Sequence, residues 1–136
     1  MTSTTLASAL LTLSVALPPA AQQASTPKPI AYETYCRMER TEKRALFKSL
    51  PSEERARLAR THMERWRDAN KGTLSEPQLS LLKEMIAAIG PAMFNGGSEA
   101  EQAKARALVE ELESRADVLL NGDQRRAIRY DAPCAK

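Results

Sequence analysis

Histidine is nearly absent from this chain: His62 is the only one among 136 residues. A lone imidazole makes a zinc site only with thiolate or carboxylate partners at ligand spacing, and R-T-H-M-E-R-W offers none. Nor does it find a partner for acid–base work. Glu64 lies two positions on, a different face of a helix, and Glu54 lies two turns away. No Ser or Cys nucleophile has an evident base. His62 is therefore expected to be structural, packed near Trp66. Cysteine is scarce as well, at two residues, and no C-x-x-C pair exists for redox catalysis. Aromatics make up 4% of the chain, too few to interleave a basic face in the manner of nucleic-acid binders. No alternating β-branched run survives beyond the N-terminal segment, so a sheet has little to be made of. These shortages point to a protein without catalytic residues, without a cofactor or metal, and without a nucleic-acid partner.

Long apolar runs are missing too. The longest, Leu6–Leu17, falls well short of the ~20 residues that span a bilayer. Pro18-Pro19 breaks it, and Ala20, Ala21 and Ala24 suit a signal peptidase. All 37 charged residues come after Leu17. Residues 1–24 read as a secretory signal, although M-T-S-T-T carries no Lys or Arg; cleavage is expected after Ala21 or Ala24. No Cys follows the run closely, which argues against a lipid anchor. The expected location is the periplasm or the exterior, with no stable membrane span after cleavage. Residues 25–31, containing S-T-P-K-P-I, read as a linker, and residues 32–136 as one helical domain.

What is plentiful is Ala, Leu, Glu, Arg and Lys, the composition of helices. The predicted class is all-α: a small bundle of about four antiparallel helices plus a short C-terminal one. The clearest helix is Leu74–Ile89. Ser75 and Gln78 are placed as a capping box, Leu74 and Leu79 as a hydrophobic staple, and Pro77 stands in the first turn. Leu79, Leu82, Met85, Ile86 and Ile89 form its expected inward stripe. Gly90-Pro91 should end it through a left-handed cap. Before it, Tyr32–Leu50 reads as one helix with a break near Thr41 and an i,i+4 pair between Glu39 and Lys43. Ser52 should cap a second helix running to Ala69, with Ala56, Ala59, Met63 and Trp66 inward and Leu58 and His62 beside them. After it, Met93 and Phe94 should plug the end of the bundle. Ser98 and Glu101 form a second box. The helix they open keeps Ala105, Leu108, Val109, Leu112, Ala116 and Leu119 at helical spacing up to Asn121-Gly122. Asp123 is the expected cap of a last short helix, Gln124–Tyr130.

Charge is split along the chain. Residues 37–67 carry ten bases against five acids, and residues 76–123 carry nine acids against four bases. Two readings fit: complementary solvated faces on packed helices, or a basic face for an anionic partner. Cys36 and Cys134 bracket the predicted domain. In an exported chain an even count favours a disulfide, and closing a loop of ~100 residues contributes on the order of 4–5 kcal/mol in the chain-entropy model. The alternative is two unpaired thiols and a tail that does not fold back.

Two resemblances arise. L-P-S-E-E-R-A-R-L-A-R-T-H-M-E-R, then L-S-E-P-Q-L-S-L-L and A-M-F, resembles the exported proteins labelled bacteriocin fulvocin C-related. The matching positions are Cys36, Arg60–Met63, Leu74–Gln78 and Phe94, about half of the expected mature chain. The Cys-rich tail that gives that family its label has no counterpart here, so only the helical part is expected to carry over. Leu74-Ser75-Glu76-Pro77-Gln78 is also similar to the motif of periplasmic LTxxQ chaperones and stress sensors; Leu50–Glu54 and Asn121–Gln124 are poorer copies. The first resemblance implies a non-enzymatic exported protein of bacteriocin-associated type. The second implies a binder that holds a protein or peptide client on a basic, partly apolar concave face. An open groove favours the second, a closed bundle the first.

Overall fold

The computed structural model describes residues 28–136. The expected signal, residues 1–24, and the first three linker residues, 25–27, lie outside the described residues. Six α-helices follow in order: α1 Tyr32–Cys36, α2 Arg40–Ser49, α3 Ser52–Asn70, α4 Glu76–Ala88, α5 Glu99–Leu119 and α6 Gly122–Ala127. Lys71–Thr73 and Pro91–Phe94 are 3₁₀ turns. No strand occurs among the described residues, and four helices are long, as the composition implies.

Three helix starts are made by reciprocal side-chain caps. Ser75 accepts from the Gln78 N–H at 3.3 Å while the Gln78 side chain accepts from the Ser75 N–H at 2.9 Å. Ser98 and Glu101 do the same for α5 at 3.1 and 3.0 Å. Asn121 and Gln124 do it for α6. This last box corrects the expected Asp123 cap: α6 starts two residues earlier, at Gly122, and ends at Ala127 rather than Tyr130. Asn121 takes the role because its backbone is extended just after Leu120 leaves the α5 helix, while Asp123 is already helical.

Two other local expectations fail beside prolines. Ser52 does not cap α3; Pro51 holds the extended cap position, and Ser52 is the first helical residue with no capping hydrogen bond. Leu50, held extended as the residue before proline, lets the chain turn straight into helix after Pro51. Gly90 is not left-handed. Its φ of −149° and ψ of 176° are extended, again the conformation that a following proline imposes. The positive φ values fall later in that loop, at Asn95 (65°) and Gly97 (75°). Gly96 is needed for a different reason: a Cβ there would lie 2.4 Å from Ser52 Oγ and 2.9 Å from Pro91 Cβ.

The helix break comes at Arg37–Glu39, ahead of Thr41. Glu39 is extended and its carbonyl receives the Lys43 N–H at 2.8 Å, which starts α2. The expected Glu39–Lys43 side-chain pair does not form, because Lys43 is drawn inward.

The interior has two apolar clusters. The larger joins Ala56, Met63 and Trp66 of α3, Leu81, Leu82 and Ile86 of α4, and Leu112 and Ala116 of α5, closed by Ile89, Leu120 and Ile128. The smaller joins Tyr32, Tyr35 and Cys36 of α1, Phe47 of α2 and Leu58 of α3. Thus α3 is a divider, and Leu58, which flanks the expected stripe, faces the second cluster. Gln78 Nε2 donates to Leu119 O at 2.9 Å and Glu84 pairs with Arg115 at 2.6 Å, which sets α4 and α5 antiparallel. Because α4 packs on both α3 and α5, it buries Leu81 completely while Leu79 is only half-buried. The N-terminal half of α5 is peripheral, with Leu108 42% exposed. Met93 and Phe94 do not plug an end: the Pro91–Phe94 turn packs against α3 and α5, and Phe94 bridges the two clusters, edge-on to Phe47 at 5.4 Å.

Candidate functional site

Residues 128–136 return across α1 and α2 and are held there by buried polar groups. Cys36 and Cys134 stand at disulfide distance, with sulfurs 2.04 Å apart and Cα atoms 4.8 Å apart across a sequence separation of 98. Beside them Lys43 is 1% exposed. Its Nζ donates to Cys36 O at 2.9 Å and Ala132 O at 2.7 Å, tying the end of α1 to the tail. Burial lowers the Lys43 pKa, and nearby Asp131 partly offsets this. Tyr35 Oη donates to Tyr130 O at 3.1 Å. Ile30, the last linker residue but one, joins the small cluster, with its carbonyl held by Arg57 at 2.5 Å.

His62 is buried at 1% exposure between α1 and the end of α6. Its Nε2 lies 2.7 Å from Ala127 O, so that nitrogen carries the proton. Its Nδ1 lies 2.6 Å from Tyr32 Oη and accepts from it, and the same hydroxyl accepts the Ala135 N–H at 3.2 Å. Every lone pair and proton in this chain is satisfied by the neutral imidazole. Burial lowers the His62 pKa, outweighing the Ala127 contact that raises it. Both His62 nitrogens are thus engaged in structural hydrogen bonds, and the ring packs on Tyr32 with centroids 5.7 Å apart.

Asp131, 3% exposed, completes the polar set. Arg44 Nε donates to it at 2.8 Å and Arg40 Nε at 3.3 Å, with Arg129 Nε at 3.4 Å. Burial raises its pKa, but the Arg44 hydrogen bond, the Arg129 charge and Arg40 together hold it below the usual carboxylate range. Neither Lys43 nor Asp131 stands out in the sequence as a site residue. The one signal for Asp131 is a lone acid in the basic run Arg125–Arg129 to Lys136, and Lys43 gives none.

An open groove of about 690 Å³ runs between α3, α4, α5 and residues 122–130. Met63, Met85, Met93, Phe94, Val109 and Leu112 line its floor. Glu113, Asp117, Arg125, Arg126 and Arg129 are the charged residues that line it. Asp117 is paired with Arg125. Methionine side chains fit irregular apolar shapes with little penalty, which suits such a floor to varied apolar occupants. No group of three His, Cys, Asp or Glu residues among those described is placed to hold a metal. No helix among them is long and apolar enough to cross a membrane.

Compared with protein-family models, curated proteins and solved structures, the chain matches none.

Proposed function

We propose that this is an exported, non-enzymatic binding domain that holds an apolar stretch of a protein or peptide client in the methionine-lined groove. The observation that carries this reading is the groove itself: an open volume of about 690 Å³ over the larger apolar cluster, where Met85, Met93, Phe94 and Val109 are only half-buried. Its apolar lining with charged residues of both signs around it supports the second, chaperone-like resemblance through the open groove rather than through net charge, since Arg125, Arg126 and Arg129 are each paired with an acid. The resemblance to fulvocin C-related proteins implies the same exported, non-enzymatic character. Its matching positions support the fold: Cys36 meets Cys134, His62 anchors the tail, Ser75 and Gln78 cap α4, and Phe94 bridges the clusters.

The test is suppression of aggregation of a chemically denatured client at equimolar ratio. Met85→Glu and Met93→Glu, both on half-buried groove positions, should abolish suppression while leaving helix content unchanged. Wild-type protein that leaves aggregation unaffected would refute the proposal.

A further inference from the structure

The three arginines around Asp131 are arranged in a way the tail alone does not require. Arg40, Arg44 and Arg129 each meet the carboxylate through Nε. Their Nη atoms hydrogen-bond no other group among the described residues, and all three side chains are about half exposed or more, at 62, 48 and 55%. One carboxylate against three guanidiniums leaves two positive charges uncompensated. A single buried acid thus orients three guanidinium forks whose bidentate edges remain available.

Arg40 and Arg129 open into a cleft of about 810 Å³ beside the disulfide. Arg37 and Lys136, both exposed and without a side-chain partner among the described residues, also line it, and Glu39 is its single unpaired acid. Asp123 is already engaged by Arg126, and Lys43 is committed to carbonyls. No ion pair among the described residues connects the basic stretch 37–67 with the acidic stretch 76–123; from the C-terminal half only Asp131 meets these bases, at Arg40 and Arg44.

We infer that this cleft is a binding site for a phosphate-class oxyanion, with Arg40 and Arg129 as the bidentate donors and Arg37 and Lys136 supplying further charge. Planar guanidinium forks match the tetrahedral oxygens of phosphate, and fixing their positions in advance reduces what binding must order. The ligand comes either as a soluble phosphate or as the headgroup of an anionic lipid. Either source predicts weakening with salt, since the charges sit at the surface.

The experiment uses the oxidised protein titrated with sodium pyrophosphate by calorimetry and, separately, sedimented with vesicles of phosphatidylglycerol and of phosphatidylcholine. Pyrophosphate binding that Arg40→Gln weakens about ten-fold or more supports a soluble phosphate. Binding to phosphatidylglycerol vesicles alone, lost in the same variant, supports a headgroup. Arg37→Gln, which removes no recorded contact, should weaken either by a smaller factor and guards against misfolding of the first variant. Arg125→Gln, outside the cleft, should change neither. The inference is overturned if neither ligand binds, or if binding occurs and both Arg40→Gln and Arg37→Gln leave it unchanged.

Discussion

Breaking the Cys36–Cys134 link should reveal how much of this domain's stability resides in its unfolded state. The bridge closes a loop spanning a separation of 98 residues, almost the whole described domain. In the chain-entropy model such a loop is worth about 4–5 kcal/mol at 25 °C. The native tail does not depend on the bridge alone. Tyr35, Lys43 and Tyr32 hold Tyr130, Ala132 and Ala135, and Asn70 Nδ2 holds Lys136 O at 2.8 Å. Reduction should therefore leave the folded state and its far-ultraviolet circular dichroism unchanged in buffer. It should move the urea midpoint down by about 1–5 M, for a denaturant slope of about 1–3 kcal/mol/M. Paired urea titrations of oxidised protein and of a Cys36→Ser, Cys134→Ser double variant provide the assay, with mass spectrometry to verify the bridge. Coincident midpoints would refute the entropic argument. Loss of helical signal in the double variant without denaturant would refute the claim that the polar contacts suffice to hold the tail.

Four further outcomes are expected. Lys43→Met should cost about 2–4 kcal/mol in chemical denaturation, because the carbonyls of Cys36 and Ala132 lose their buried donor. Ser75→Ala should cost about 0.5–2 kcal/mol through the capping box, whereas Ser52→Ala, which removes no capping bond, should stay within about 0.5 kcal/mol; equal losses would show that the cap assignments are wrong. The His62 contribution to stability should be constant above the ordinary histidine value of 6.5 and fall below it, because the folded His62 pKa is lowered and the unfolded chain takes up the proton first. A second fall should begin below the ordinary aspartate value of 3.8, as Asp131 is held lower still when folded, and His62→Gln should flatten the first fall alone. N-terminal sequencing of material recovered outside the cytoplasm should begin after Ala21 or Ala24; a chain still starting at Met1 would remove the export argument.

The sequence by itself determined the helical class, the Ser75–Gln78 and Ser98–Glu101 caps and the α3–α4–α5 order. These are short-range matters. A cap is settled by residues three apart and a helix stripe by positions three and four apart, so both are written in the local sequence. The pairing of Cys36 with Cys134 was legible too, because only two cysteines exist and they bracket the domain. The failures beside Pro51 and Pro91 were also local: a proline dictates the residue before it more firmly than a cap preference or a glycine does. Only the tertiary structure decided that Lys43 goes inward, that Asp131 gathers three arginines, that His62 is held neutral and that Met85 and Met93 line a groove. Each of those outcomes depends on packing between distant segments; Lys43 and Ala132 are 89 residues apart, and Arg40 and Asp131 are 91. On the sequence a lysine beside a glutamate reads as a solvated pair. In the fold the returning tail presents a bare carbonyl, and satisfying that buried acceptor outweighs the weak surface pair the lysine gives up.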